Sequence, residues 1–246
     1  MPKTLILIPS RLAASRLPRK PLLKINDLSI ICHVVNKAKE SNIGEVYVCT
    51  GDKEIYENVK NNDGNCILTQ KEHLTGTDRI YEGFQKLGFS DVDYILNIQG
   101  DEPMIDIKDI IKLNNYAFSN QSDIATLACK IDNIKKYTNK NIVKVQTNDN
   151  LTSTNSSKAE YFSRIIDNSD TKNIYHHIGI YQYKTSTLKE FVSFERTKNE
   201  TKFKLEQLRA LENKINIDVI LANSMPIGVD TIEDYLEIKK IMEYKS

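Results

Sequence analysis

The sequence predicts an α/β fold with a mostly parallel, doubly wound sheet and a small antiparallel extension. Short β-branched apolar runs alternate with segments whose apolar residues recur at helical spacing, beginning with "TLILIP", "LSIICHVVNKAKES" and "EVYVCT". Strands that alternate with helices favour a parallel sheet. Ligands of such sheets bind beyond the carboxyl ends of the strands, so the loops that follow the strands are the first places to search for a site.

The alternation continues to about residue 120 and then loosens. "KEIYENVKNN" and "DRIYEGFQKLG" predict helices, while "NCILT" and "VDYILNI" predict strands. "DIATLACKI", "NIVKVQT" and "HHIGIYQYK" are strand-like, which places an antiparallel extension at about residues 130–185. "TKFKLEQLRALEN" predicts one later helix, and "DTIEDYLEIKKIMEY" a last one that opens with the capping pattern Thr231 to Asp234. No repeat or linker divides the chain, so we expect a single domain over residues 1–246.

Composition excludes several classes of protein. The formal net charge of +1 over 246 residues argues against a nucleic-acid binder. No stretch approaches the roughly 18 apolar residues of a membrane span, and the first apolar run is too short for a signal peptide. The four cysteines are widely spaced without a CxxC pair, which favours buried, reduced thiols in a cytoplasmic protein.

The loop after the first strand, "IPSRLAASRLPRKPL", is strongly cationic. It contains Arg11, Arg16, Arg19, Lys20 and Lys24 and no acid. A solvated surface is the common explanation of such a run, but this one lies where a ligand loop is expected. Several cations together could bind a triphosphate. The sequence has neither GxxxxGK[ST] nor GxGxxG, so the triphosphate would be bound without a glycine-rich loop.

Carboxylates follow apolar runs at two other points. Asp101 and Glu102 come directly after a predicted strand in "NIQGDEP", and Asp230 follows an apolar run in "IGVDTIEDY". A polar turn before a helix would explain the first pair, and an N-terminal cap would explain Asp230. Hard oxygen ligands also suit Mg²⁺. Cationic side chains that could bind phosphates, together with acidic side chains that could bind a metal ion, indicate nucleotide chemistry.

Seven segments of the chain resemble one family in order and approximate spacing. They are "IPSRLAASRLPRKPL", "HLTGTDRI", "NIQGDEPMI", "YFSR", "HHIGIYQY", "LEQLRALE" and "GVDTIEDY". The resemblance is to the 3-deoxy-manno-octulosonate cytidylyltransferases, or CMP-Kdo synthetases, whose fold is like that of the nucleotide-diphospho-sugar transferases. It implies transfer of the cytidylyl group of CTP to the anomeric hydroxyl of 3-deoxy-manno-octulosonate (Kdo), with Mg²⁺ as cofactor, in a homodimer that serves lipopolysaccharide biosynthesis.

The same resemblance implies roles for individual residues. The CTP-binding positions are Arg11, Arg16, Lys20, Thr75, Gly76, Thr77 and Arg79, with His73 nearby. The catalytic positions are Lys20, Asp101 and Asp230, and the two acids among them are the metal ligands. The Kdo-binding positions are Gln99, Arg164, His177, Tyr181, Glu206 and Gln207. Without the resemblance, a core histidine and an exposed acid-amide pair are the simpler interpretations of His177 and of Glu206 with Gln207.

Three departures from the family pattern stand out. Arg19 occupies a position that is usually glycine, His176 replaces a usual Arg or Lys, and the segment after Arg164 is short. Two other functions stay open at this point. One is a cytidylyltransferase for a related sugar acid, such as 8-amino Kdo or a sialic-acid-like sugar, and the other is a non-catalytic nucleotide-binding protein.

Overall fold

The structure is a computed structural model that describes residues 3–13, 16–133, 135–166 and 172–244. Its strands are β1 (Thr4–Ser10), β2 (Lys24–Ile25), β3 (Leu28–Ser29), β4 (Gly44–Thr50), β5 (Asn65–Leu68), β6 (Tyr94–Asn97), β7 (Ile124–Lys130), β8 (Lys144–Thr147), β9 (Ser157–Ser163), β10 (Ile174–Lys184) and β11 (Ile217–Leu221). Its α-helices are α1 (Ile30–Glu40), α2 (Lys53–Asn61), α3 (Gly76–Leu87), α4 (Ile107–Asn120), α5 (Lys135–Thr138), α6 (Thr185–Ser193), α7 (Lys198–Phe203), α8 (Gln207–Glu212) and α9 (Ile232–Tyr244). A 3₁₀ helix covers Lys20–Leu22.

The chain forms two compact units. The first comprises Met1–Ile111 with Pro226–Ser246, and the second comprises Lys112–Met225. In the first unit the strand order is β5-β4-β1-β6, and all of these pairings are parallel. The apolar side chains of β1, residues 5–8, are at most 2% exposed. A continuous apolar run of this kind is typical of a parallel strand that is covered on both faces.

The register of the first sheet brings the strand ends together. Ser10 pairs with Thr50, Thr50 pairs with Leu68, and Leu7 pairs with Asn97. Since these parallel strands all end at one edge, the loops that follow β1, β4, β5 and β6 begin there. The cationic loop and the "QGDEP" segment are two of these loops.

The second unit contains the antiparallel pairings. Its strand order is β10-β7-β11-β9-β8, and β8 also pairs with β10. The β7–β11 pair is parallel, and the β10–β7, β9–β11, β8–β9 and β8–β10 pairs are antiparallel. The register of β10 against β7 shifts between Ile178 and Tyr181 and skips Gly179 and Ile180. A bulge of this kind re-aims the side chains beside it.

These observations confirm the predicted fold class, an α/β fold with parallel and antiparallel strands. The single helix predicted from "TKFKLEQLRALEN" is wrong. The chain forms α7 and α8 instead, because Lys204 takes a left-handed conformation at φ 53° and ends α7. All four cysteines are free, and three of them are buried. Over the described residues, every helix is too short or too polar to cross a bilayer.

Candidate functional site

A cavity of about 360 Å³ opens at the strand ends of the first unit. The loops that follow β1, β5 and β6 and the segment before α9 all contribute to its wall. The lining residues are Pro9, Ser10, Arg11, Ala13, Arg16, Lys20, Pro21, His73, Leu74, Thr75, Gly76, Arg79, Gln99, Gly100, Asp101 and Asp230. Ten of the residues singled out from sequence are therefore brought to one cavity.

Two backbone contacts bring the acids to the cationic loop. A Cβ added to Gly100 would lie 3.0 Å from the carbonyl oxygen of Pro9, so glycine lets the loop after β6 approach the end of β1 closely without crowding the backbone. The N–H of Val229 donates to the carbonyl oxygen of Asp101 at 2.9 Å. This bond holds Asp230, the next residue, beside Asp101.

Lys20 lies at the centre of a charged cluster. Its Nζ donates to Asp101 Oδ2 at 2.6 Å and to Asp230 Oδ1 at 3.2 Å, and its side chain is only 12% exposed. Arg16 Nη2 lies 3.0 Å from Asp230 Oδ2. Burial alone would lower the pKa of Lys20, but the two carboxylates outweigh it and raise that pKa above its usual value. Lys20 is therefore a positively charged group at the cavity wall.

Asp230 does not cap the last helix. The cap of α9 is formed by Thr231 and Asp234: the N–H of Asp234 donates to Thr231 Oγ1 at 3.2 Å, and the N–H of Thr231 donates to Asp234 Oδ2 at 2.8 Å. The predicted capping pattern is thus present. The carboxylate of Asp230 faces Lys20 and Arg16 instead, so it is available to the site.

The two carboxylates fit a divalent cation. Asp101 and Asp230 already share one positive group, the ammonium of Lys20, so both face a single point. Among the described residues, no three His, Cys, Asp or Glu side chains are grouped so that they could hold a metal ion. Mg²⁺ is commonly held by one or two carboxylates with substrate phosphates and water, and this pair suits such a site.

Glu102, the second acid of the "QGDEP" segment, has a different environment. Burial, together with the charges of Asp101 and Asp230, raises the pKa of Glu102 to about 8. Its Oε2 atom is buried and makes no hydrogen bond within the described residues. Glu102 therefore favours its neutral form. It is not among the residues that line the cavity.

The segment that leads into α3 forms another wall. Thr75 caps this helix, since its Oγ1 accepts from the N–H of Asp78 at 3.1 Å. Gly76 begins the helix and also lines the cavity. A helix N-terminus with this geometry favours anions. Thr77, in contrast, is 2% exposed and is not among the lining residues.

Arg79 and His73 shape the loop after β5. The guanidinium of Arg79 is 3% exposed and donates to Thr69 Oγ1 at 2.7 Å and to the carbonyl oxygens of Gln70 and Lys71 at 3.0 Å each. His73 Nε2 lies 2.5 Å from a carboxylate oxygen of Glu82. Both side chains line the cavity, and their contacts fix the backbone around it.

Arg19 does not line the cavity, and its conformation accounts for the glycine usual at that position. Its φ is 59°, in the left-handed region where a side chain is strained and glycine is not. Its N–H donates to the carbonyl oxygen of Leu12 at 3.2 Å, and its guanidinium pairs with Glu54 of α2. The loop therefore keeps its shape with an arginine at this point and gains an ion pair to α2.

Five of the six residues predicted to bind the sugar acid belong to the second unit, while Gln99 lines the cavity in the first. His177 is 7% exposed and lies 3.1 Å from Thr126 Oγ1. Its ring centroid is 5.3 Å from that of Tyr181, across the β10 bulge. Burial, and to a lesser extent His176, lowers the pKa of His177 to about 3, so the ring is neutral.

The other three residues predicted to bind the sugar acid lie at or contact the segment that leads into α8. Glu206 precedes this helix and Gln207 is its first residue. The guanidinium of Arg164, predicted to pair with a carboxylate, donates to the carbonyl oxygens of Lys140 at 3.0 Å, Phe203 at 3.2 Å and Lys204 at 3.3 Å. Arg164 thus binds the backbone just before Glu206. Most of the short segment after Arg164 lies outside the described residues.

Sequence reasoning missed two residues that shape the cavity. Asp52 Oδ2 accepts from the N–H of Leu12 at 2.8 Å and so anchors the cationic loop. Leu74, which is 75% exposed, adds an apolar surface to the wall. Asp52 lies just beyond β4, so the rule that directs attention to strand ends could have found it. No signal in the sequence distinguishes Leu74.

Comparisons with known proteins agree with the resemblance. The cytidylyltransferase family matches residues 5–217. A relative from Afipia carboxidovorans, named 3-deoxy-manno-octulosonate cytidylyltransferase, is 40% identical over 240 residues, which are 97% of this chain and 96% of the relative. A relative of the same name from Brucella ovis is 40% identical over 233 residues, or 94% of this chain and 92% of the relative.

The comparison with solved structures agrees with the family match. A CMP:2-keto-3-deoxy-manno-octonic acid synthetase complexed with CTP matches with a TM-score of 0.88 and 32% identity, over 99% of this chain and all of the other. An apo UDP-glucose pyrophosphorylase matches with a TM-score of 0.72 over 100% of this chain and 99% of the other, but its 13% identity supports a shared fold alone. From the family match and from relatives aligned along nearly its whole length, we conclude that the chain belongs to the cytidylyltransferase family.

Proposed function

We propose that this protein is a nucleotidyltransferase that transfers the cytidylyl group of CTP to the anomeric hydroxyl of Kdo. The products are CMP-Kdo and pyrophosphate, and CMP-Kdo is used in lipopolysaccharide biosynthesis. The relatives that match nearly the whole chain are named for this activity. The observation that carries the proposal is the cluster of Lys20, Asp101 and Asp230 at the cavity, where each of the two carboxylates lies within 3.2 Å of the Lys20 ammonium.

The cations account for binding of the triphosphate. Arg11, Arg16 and Lys20 line the same cavity, and the N-terminus of α3 adds backbone N–H groups. Charge-assisted hydrogen bonds to phosphate contribute about 1.5–3 kcal/mol each in a sheltered site. Lys20 is the most sheltered of the three cations, so it is the best placed to offset the charge that grows on the departing pyrophosphate.

The reaction needs no nucleophilic side chain. The anomeric oxygen of the sugar forms a bond to the α-phosphorus, the bond between the α-phosphorus and the bridging oxygen breaks, and pyrophosphate leaves with that electron pair. The hydroxyl proton is released. Catalysis then rests on alignment of the two substrates and on neutralisation of charge, which are tasks that the lining residues can perform.

Asp101 and Asp230 are the residues that would hold Mg²⁺. When bound there, the ion would supply charge neutralisation on the phosphates and a lower pKa for the attacking hydroxyl. In the free protein the carboxylates are neutralised by Lys20 and Arg16. With Mg²⁺ held by the two acids, Lys20 and Arg16 would be available to bind the triphosphate.

The residues that we assign to the sugar acid are Gln99 in the first unit and Arg164, His177, Tyr181, Glu206 and Gln207 in the second. Their polar groups match a substrate rich in hydroxyls, and Arg164 carries the charge that suits a carboxylate.

We expect a homodimer formed through residues 130–185. The side chains of Tyr161 and Ile165 are 43% exposed there and offer apolar area. Light scattering should then give about twice the chain mass of 28.2 kDa. We also expect the protein to act in the cytoplasm, where CTP is available.

The proposal is tested by pyrophosphate release from CTP, Mg²⁺ and Kdo with three proteins. The wild type should turn over. Lys20→Met should raise the Kd for CTP and lower kcat/KM at least about a hundredfold, because a buried charge that faces the phosphates is lost. Lys24→Met removes an exposed lysine of the same segment and should behave as the wild type. Equal activity of Lys20→Met and Lys24→Met would refute the assigned site.

A further inference from the structure

Lys144 is a buried lysine to which the proposed reaction assigns no task. It begins β8 and is 0% exposed. Its Nζ donates to the carbonyl oxygens of Asn139 at 2.7 Å, Ile142 at 2.9 Å and Arg164 at 2.7 Å. Within the described part of the chain it pairs with no carboxylate. Burial of a cation among neutral acceptors is costly, so a purely structural role would be served at lower cost by an apolar residue.

The carbonyl groups that accept hydrogen bonds from Lys144 link it to Arg164 in two ways. One belongs to Arg164 itself, at the end of β9. The other two flank Lys140, whose carbonyl oxygen accepts from Arg164 Nη1. The ammonium therefore fixes both the backbone from which the Arg164 side chain extends and the turn to which its guanidinium binds.

The Arg164 guanidinium also holds the backbone just before α8. Its Nε and Nη2 atoms donate to the carbonyl oxygens of Phe203 and Lys204, which lie three and two residues before Glu206. Lys144 and Arg164 together bind six backbone carbonyl groups. Their two charges also repel each other: burial, and then Arg164, lowers the pKa of Lys144 to about 8. Among the described residues neither Lys144 nor Arg164 pairs with a carboxylate, so the charge of Arg164 is available to an anion.

We propose that Lys144 is a positioning residue for binding of the sugar acid. It holds the turn at 139–142 and the end of β9 so that the Arg164 guanidinium stays at one place. This inference rests on the proposed function, since Arg164 is assigned to the sugar acid there. It concerns the sugar acid alone, because the residues assigned to CTP belong to the first unit.

The test is steady-state kinetics of Lys144→Met, which keeps the length of the side chain and removes the ammonium. We expect the KM for Kdo to rise about tenfold to a hundredfold, as a displaced binding group requires, while the Kd for CTP is unchanged. The value of kcat at saturating Kdo should stay within about threefold of the wild type. Lys158→Met, which removes an exposed lysine of β9, is the matched control and should leave the KM for Kdo unchanged.

A double variant separates positioning from a general loss of structure. If Lys144 acts through Arg164, then Lys144→Met should have little further effect on the KM for Kdo in an Arg164→Gln background. If Lys144→Met does not fold, Lys144→Gln replaces it, because an amide keeps two N–H donors without the charge. An unchanged KM for Kdo beside an active wild type, or a fall in kcat alone, would overturn the inference. A wild type that turns over no sugar acid would instead refute the proposed function.

Discussion

Asp101→Asn should separate the stability of the charged cluster from its function. The substitution replaces the carboxylate that lies 2.6 Å from Lys20 Nζ with a neutral amide of the same shape. A charge-assisted hydrogen bond contributes about 1.5–3 kcal/mol. The side chain of Asp101 is 33% exposed and Lys20 keeps its contact with Asp230, so we expect a loss somewhat below that range, about 1 kcal/mol. For a chain of this length that lowers Tm by about 2–4 °C.

Function should change far more than stability. The amide cannot place a divalent cation as the carboxylate does, and loss of a preorganised charge at a reacting centre commonly costs a factor of about 10²–10³ in kcat. In metal-free buffer the Kd for CTP should be equal or lower, because one negative charge is gone and Lys20 is freed for the phosphates. Thermal unfolding, calorimetric titration with CTP and pyrophosphate release measure the three quantities.

Asp91→Asn is the matched control, since it removes an acid from an exposed ion pair with Lys3 in the same unit. It should lower Tm by at most about 2 °C and leave turnover unchanged. Full turnover by Asp101→Asn at saturating Mg²⁺ would refute the reasoning. So would a weaker affinity for CTP in metal-free buffer, because the carboxylate would then support the nucleotide and not the metal.

Three further predictions concern stability. The pKa of His177 is lowered to about 3, below its unfolded value of about 6.5, so the unfolded chain binds an extra proton between these pH values and stability falls as the pH drops through them. His177→Phe should reduce that slope by about 1.4 kcal/mol per pH unit in urea titrations, and an identical slope would contradict the assignment. Arg19→Gly removes a strained φ and an exposed ion pair with Glu54 together, so these two effects should largely cancel and Tm should stay close to that of the wild type. A fall in Tm of more than about 4 °C in thermal denaturation would contradict this balance. Glu200→Gln breaks a buried ion pair with Arg209, in which both side chains are at most 2% exposed. The free energy of unfolding should fall by about 3–5 kcal/mol. No change in Tm would show that the pair does not stabilise the fold.

The positions of the main site residues could be predicted because they follow from local patterns. Apolar runs that end in charged loops identify strand ends, and parallel strands bring their ends to one edge, so Lys20 and Asp101 could be expected to meet. Asp230 was harder, because a cap and a site residue look alike in sequence. The hydrogen bond of Val229 to Asp101, across more than a hundred residues, decides between them.

Other features had no local signal. The break between α7 and α8 occurs at Lys204, where neither glycine nor proline marks it. Lys144 stands in a strand-like run whose pattern does not say that its ammonium is buried, since its partners come from a turn and from the end of another strand. The strand β9 was not predicted either, because "SKAEYFS" has too few apolar residues to show a period. Contacts between distant segments decide these cases.

The central claim is the transfer of a cytidylyl group to a sugar acid at the Lys20–Asp101–Asp230 cluster. Phosphorus NMR of purified protein with CTP, Mg²⁺ and Kdo tests it most directly, with 8-amino Kdo and a sialic acid in parallel samples. The account predicts equimolar CMP-Kdo and pyrophosphate with Kdo, and little product with the other two sugars. Formation of neither product with any of the three sugar acids would contradict it.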